Sequence, residues 1–292
     1  MTEIELRALM ARAVREAREV CPLAPSITNT VTQNFVANAQ LAVGGSAAMV
    51  YLPDEGECVA EAGGAVYINL GTLMPVYEET VPRTARALAA AHKPWVLDPV
   101  GVGIGSLRTH LIEAVRDAKP SIVRGNASEI IAVAKLWGLD EASPAEGGAE
   151  GPRGVDTTDA VDAAEAAARA IARFTGGAVA VSGPIDLVTD GCTTARLEGG
   201  SPLMTRITGS GCSLGGVATV YAAVADPFVA ALAATAAYNV AGAAAEHAVA
   251  AEAAPLAAGT GSFQVAFLDE LSRLSPEAVA ESPLSLSPAD KA

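Results

Sequence analysis

The turn Thr208-Gly209-Ser210-Gly211-Cys212 is the stretch of this chain best suited to chemistry. Glycines at 209 and 211 let the backbone bend with no side chain in the way, so its N–H groups stay open. The Ala-rich run behind it predicts a helix over 213–225. A helix start adds unpaired N–H groups and a partial positive charge. Together these make an anion hole of the size of a phosphoryl group. Cys212 would stand in the first helical turn, where thiol pKa values are depressed. From these five residues alone, a ligand-free strand-to-helix turn reads equally well. Three charged residues weigh against that bland reading. Asp98 ends the apolar run 94–97, Arg124 ends the run 121–123, and Glu129 follows in a turn that Asn126 caps. Ligands of open α/β sheets bind beyond the carboxyl ends of strands, where these residues fall.

The elements that must position them alternate. Residues 2–19 predict an amphipathic helix with a Thr2/Glu5 capping box, and Asn29 is a suitable N-cap for a helix through Val43. Short apolar runs at 47–51, 65–70, 94–98, 121–124 and 178–183 predict buried strands, with helices at 76–91, 106–118 and 156–174. Asp190-Gly191 predicts a hairpin turn between 185–189 and 193–197. Residues 203–207 predict a strand end leading into the glycine turn. Helices at 227–250 and 260–274 close the chain. This pattern predicts an α/β fold with a mainly parallel sheet covered on both faces. Residues 140–155 predict a Gly/Pro/acid-rich surface loop, and 275–292 a loose tail behind one domain spanning 1–274.

Of the 292 residues, 51% are hydrophobic, 18% charged and 4% aromatic, so the core must be aliphatic and close-packed. A formal net charge of −14 disfavours nucleic acids and anionic membranes as partners. Cys21, Cys58, Cys192 and Cys212 form no C-x-x-C pair, which argues against a zinc or disulfide framework. With no basic, apolar leader and no apolar run of membrane-spanning length expected, the setting reads as reducing and cytoplasmic.

Other motifs are weaker. Gly101-Val102-Gly103-Ile104-Gly105 has G-x-G-x-G spacing rather than the dinucleotide G-x-G-x-x-G, and no Walker lysine motif is present. His92, His110 and His247 all fall on predicted helices away from the strand ends, which disfavours a Cys–His hydrolase.

Ser26-Ile-Thr-Asn29, Gly44-Gly-Ser-Ala-Ala-Met49, Asn69-Leu-Gly-Thr72, Leu97-Asp-Pro-Val-Gly101, Arg124-Gly-Asn-Ala-Ser-Glu129 and Thr208-Gly-Ser-Gly-Cys212, in this order, resemble the hydroxyethylthiazole kinases. The resemblance runs from about 20 to 274. It implies a ribokinase-like three-layer α/β/α sandwich. It also implies transfer of phosphate from Mg-ATP to the hydroxyethyl group of 4-methyl-5-(2-hydroxyethyl)thiazole, in thiamine biosynthesis and salvage. By this resemblance Met49, Asn29 and Gly209 contact the thiazole, and Arg124 and Ser182 contact ATP. Gly209, Ser210 and Gly211 form the anion hole. Asp98 and Glu129 hold Mg²⁺ directly or through water. Cys212 takes the place where ribokinase-like enzymes usually carry an Asp base. A homotrimer with sites between subunits is also implied. The chain departs from the family at Ala24-Pro25-Ser26, where many members read Val-His-Asn, and at Ala47, where Pro is usual. Both departures are expected beside the acceptor pocket. A ribokinase-like kinase for a different small alcohol, or a non-catalytic nucleotide-binding protein, also fits these residues.

Overall fold

The computed structural model describes residues 1–139, 158–251 and 259–288. Helix α1 (Glu3–Val20) opens with the predicted capping box. Thr2 Oγ1 accepts from the Glu5 N–H at 3.3 Å, and the Glu5 carboxylate accepts from the Thr2 N–H at 2.8 Å. A β–α alternation follows: β1 (Leu23–Ile27), α2 (Gln33–Ala42), β2 (Ser46–Met49), α3 (Pro53–Ala62), β3 (Val66–Asn69), α4 (Tyr77–Ala90), β4 (Trp95–Asp98), α5 (Ser106–Ala114), β5 (Ile122–Asn126) and α6 (Ala127–Leu136). The second half runs α7 (Thr158–Thr175), β6 (Ala178–Ser182), the hairpin β7 (Asp186–Thr189) and β8 (Thr193–Leu197), then α8 (Ser210–Ala222), α9 (Pro227–Ala251), α10 (Thr260–Arg273), α11 (Pro276–Ala280) and β9 (Leu284–Pro288).

The nine strands form one sheet in the order β2-β1-β3-β4-β5-β6-β7-β8-β9. Pairs from β2 to β6 are parallel, and those from β6 to β9 are antiparallel. Side chains alternate between two apolar cores, one on each face. In β4, Val96 packs with α8 and α9 residues while Trp95 and Leu97 join the opposite layer; β5 repeats this with Ile122 and Val123. Period two therefore sends Tyr67, Asn69, Asp98, Arg124 and Ser182 to the α8 face. Helix α8 is apolar all round because every residue from Ser213 to Ala222 is buried.

Four expectations need correction. The tail 275–292 is not loose: α11 and β9 extend the fold, with Leu284 paired to Leu197 and Arg7 Nη1 donating to the carbonyls of Ala280 and Ser282. Residues 202–206 form a 3₁₀ turn instead of a strand, since Ser201 caps the Leu203 N–H at 3.1 Å and Pro202 supplies the fixed φ of a first helical position. Asn29 caps no helix; Thr32 precedes α2, and the Asn29 side chain is drawn into the site described below. Helix α9 does contain a 24-residue stretch, Pro227–Ala250, long and apolar enough to span a membrane, but 83% of that window is buried inside the protein. Helix α3 was not anticipated. Its signal is Pro53 at the first position, with the Glu55 carboxylate accepting from the Leu52 N–H at 3.2 Å. The loop expected at 140–155 lies outside the described residues.

Ending the chain at Leu274 would remove β9 and leave β8 as a bare edge. We expect the thermal midpoint to fall by roughly 5–10 °C. An unchanged midpoint in a calorimetric scan would show that this segment adds no stability.

Candidate active site

The turn that dominates the sequence sits over the carboxyl ends of β3 to β6. Gly209 has φ of 86°, a left-handed conformation that starts α8 at Ser210, three residues earlier than predicted. Cys212 therefore stands in the first turn of α8, as expected. Beneath it, parallel pairing of β4 with β5 sets Leu97 opposite Val123, so the next residues, Asp98 and Arg124, come side by side. Arg124 Nη1 lies 3.4 Å from Asp98 Oδ2, and Nη2 donates to Ser182 Oγ at 2.8 Å. A Cβ on Gly211 would come within 2.5 Å of the guanidinium, so the helix backbone lies directly on Arg124.

Asp98 is fully buried. Its Oδ2 also accepts the Tyr67 hydroxyl at 2.8 Å, whereas Oδ1 and Arg124 Nε have no partner among the described residues. Burial raises the Asp98 pKa to about 6, Glu129 adds to the rise, and the attraction of Arg124 does not offset it. Burial alone would depress Arg124, but Asp98 and Glu129 hold its pKa above the usual guanidinium value. Glu129 is the third residue of the α6 capping box. Its Oε2 accepts the Asn126 N–H at 2.9 Å and its Oε1 the Gly101 N–H at 3.0 Å.

Cys212 Sγ accepts from Asn29 Nδ2 at 3.5 Å. The depressed thiol pKa expected at a helix start is corrected here. Burial raises it, the nearby Asp98 charge raises it further, and the Arg124 charge, helped by the neighbouring polar side chains of Asn69 and Thr32, pulls the other way.

Two cavities meet at this helix start. One, of about 840 Å³, is lined by Asn29, Thr32, Leu73, Ile104, Arg108 and Cys212 among others. The other, of about 870 Å³, is lined by Arg124, Asn126, Ser182, Ser210, Gly211 and Asn239 among others. Thr208 and Gly209 belong to both. Of the sequence-predicted residues, Asp98, Arg124, Glu129, Ser182, Gly209, Ser210, Gly211, Cys212 and Asn29 converge here. Met49 does not: it ends the edge strand β2 and lines neither cavity. Pro25, Ser26 and Ala47 lie on β1 and β2 and likewise line neither cavity of their own chain. Tyr67 and Asn69 were missed as contributors. Their signal is polar side chains at alternate positions of a strand that is otherwise apolar and buried.

Asp98 and Glu129 fit a Mg²⁺ ion. A buried carboxylate oxygen lacks a partner, while both Glu129 oxygens already take backbone N–H groups and suit contact through water. Among the described residues no cluster of three or more His, Cys, Asp or Glu could hold a metal alone.

Fold and site together define the class: a ribokinase-like small-molecule kinase. The hydroxyethylthiazole kinase family model matches residues 14–277, and the chain belongs to this family. It is 52% identical to the hydroxyethylthiazole kinase of Bifidobacterium adolescentis, over 95% of this chain and 94% of that protein. It is 45% identical to that of Cereibacter sphaeroides strain ATCC 17029, over 90% and 92%. The solved hydroxyethylthiazole kinase of Pyrococcus horikoshii OT3 superposes with a TM-score of 0.79 at 29% identity, covering 96% of this chain and 99% of that one. The ADP complex of Staphylococcus aureus pyridoxal kinase, TM-score 0.55 at 17% identity over 76% and 88%, shares the fold.

The raised Asp98 pKa has a stability consequence. The folded protein holds this proton more tightly than the unfolded chain, so the contribution favours folding at low pH and is lost as pH rises through about 6. In nucleotide-free protein, Asp98→Asn is expected to melt higher than the parent near pH 7.5, with the gap closing by about pH 4. A lower melting point for Asp98→Asn near pH 7.5 would mean that pairing with Arg124 outweighs burial.

Proposed function

We propose that this protein transfers the γ-phosphoryl group of ATP to the hydroxyethyl group of 4-methyl-5-(2-hydroxyethyl)thiazole, in thiamine biosynthesis or salvage. The observation that carries the reading is the meeting of two cavities at Thr208-Gly209, with Cys212 on one side and Arg124 on the other. The Cys212 side offers apolar walls in Val31, Leu73, Val100, Ile104 and Leu107, which suit a methylated heteroaromatic ring. The Arg124 side is richer in hydroxyl and amide groups and suits a nucleotide.

Phosphoryl transfer of this type needs alignment and charge neutralisation more than covalent help. Arg124 supplies a fixed positive charge, held in one orientation by Asp98 and Ser182. The N–H groups at Gly209, Ser210, Gly211 and Cys212 face the bridging region and receive the negative charge that develops in transfer. Asp98 and Glu129 would hold Mg²⁺, which when bound neutralises charge on the phosphate oxygens. Cys212, once its own proton has passed to bulk water, takes the acceptor hydroxyl proton as the thiolate. The alcohol O–H bond breaks and S–H forms, while a new O–P bond forms and the bond to the ADP oxygen breaks. A raised thiol pKa is compatible with this, because a loose transition state leaves the alcohol proton in place until late.

The protein acts in the cytoplasm as a homotrimer whose thiazole sites lie between subunits. Met49 lines neither cavity of its own chain, so the thiazole contact that the resemblance implies for it would be made in a neighbour's cavity. A single kinase domain accounts for the fold, and it runs beyond residue 274, because α11 and β9 extend it.

Incubation of purified protein with Mg-ATP and the thiazole alcohol is expected to give the phosphate ester by mass. Its absence, with ester formed on another small alcohol, would reassign the acceptor. ATP binding with no transfer to any alcohol would favour a non-catalytic protein. Cys212→Ala should slow turnover by about 10²-fold without abolishing it, and near-unchanged turnover would remove Cys212 as the base. Gly209→Val should abolish turnover, since a Cβ there meets Thr32 at 2.7 Å on a backbone with positive φ. Retained ATP turnover in that variant would refute the anion-hole assignment.

A further inference from the structure

A directed hydrogen-bond chain runs from the buried Asp98 to the Cys212 sulfur through three side chains that touch no phosphate. Its polarity is fixed at both ends by groups with one possible role. With Asp98 ionised, its Oδ2 can only accept, so the Tyr67 hydroxyl, 2.8 Å away, must donate. The lone pairs of that hydroxyl then face the Asn69 amide nitrogen at 2.9 Å. This turns Asn69 Oδ1 the other way, where the Gly71 backbone N–H donates to it at 3.0 Å. A backbone N–H cannot accept, so Asn69 is fixed twice. Its Oδ1 also takes one N–H of Asn29 at 3.0 Å, which obliges Asn29 to present its nitrogen. The same nitrogen stands 3.5 Å from Cys212 Sγ. Gly71 makes room for this arrangement: a Cβ there would lie 2.6 Å from Asn29 Nδ2, so a larger residue would push the amide out of place. Asn69 is fully buried, and Asn29 is 4% exposed.

We propose that Asn29 and Asn69 are positioning residues for Cys212: Asn69 locks the Asn29 amide so that an N–H always faces the sulfur and the sulfur is free to take a proton from the acceptor side. Asn29 thereby has a role beyond lining the acceptor cavity. Its effect on turnover rests on the kinase reading above; its effect on the thiol does not. An N–H aimed at sulfur favours the thiolate, and burial opposes it.

The test is alkylation of nucleotide-free protein with iodoacetamide near pH 8, with each cysteine followed by peptide mass spectrometry. Cys21, Cys58 and Cys192 are exposed and serve as references within the same molecule. In Asn69→Leu and Asn29→Asp we expect Cys212 to react about tenfold more slowly relative to those references. We also expect kcat to drop by a similar factor and the KM for ATP to stay within about twofold. Cys212 modified at the parental rate or faster overturns the proposal, even if kcat has fallen. Should Asn69→Leu fail to fold, Asn29→Asp decides alone, because it replaces the donor by an acceptor at constant volume. If the parent phosphorylates no alcohol, the kinase reading fails while the alkylation comparison still answers this question.

Discussion

The buried pairing of Asp98 with Arg124 is the constraint around which the site is built. Two charges removed from water cost several kcal/mol each unless they are paired and hydrogen-bonded. Here the pairing is incomplete: Asp98 Oδ1 and Arg124 Nε lack partners. Each orphaned buried polar atom costs about 1–3 kcal/mol. Such atoms persist in native structures where a ligand completes them. The pairing is possible because β4 and β5 run parallel and in register, so the last residue of one strand meets its counterpart on the next.

Helix α8 turns that pair into a site. Gly211 and Gly215 lie four residues apart on one helical face. A Cβ at the first would meet Arg124 at 2.5 Å, and at the second the Tyr67 hydroxyl at 2.5 Å. Two missing side chains thus let the helix settle onto the polar layer, and its N-terminal N–H groups arrive above a positive charge already fixed in place. A third absent side chain, at Gly209, provides the left-handed entry that aims the helix. The proposed anion site would then depend on packing as much as on charge.

Much of this was legible in the sequence because it rests on local rules. The strand end at Asp98, the Asn126 cap with Glu129 at the third helical position and the glycine turn are each short-range patterns with one favoured geometry, whereas the strand expected to end at Arg124 runs on to Asn126. What was not legible depends on register between distant segments. Nothing near Asn29 announces Asn69, forty residues on, so Asn29 reads as a helix cap until the sheet brings the two together. The last residues read as loose because Pro and Ser dominate them, yet Leu284 and Leu286 find a free edge at β8 and partial cover against the larger core. The thiol shows the same limit from the other side: a helix start depresses a pKa by local rule, while burial and the Asp98 charge, both tertiary, push it up.

A thiol at position 212 follows from this electrostatic setting. The ribokinase-like relatives that the sequence resembles usually place a carboxylate there. In this site burial and the Glu129 charge already raise the Asp98 pKa to about 6. A third carboxylate in the same layer would raise every pKa in the group, because like charges in a poorly hydrated interior repel strongly. It would also compete with phosphate oxygens for Arg124. A neutral Cys212 adds no charge to this layer. That neutrality is the condition under which Asp98 stays ionised beside it.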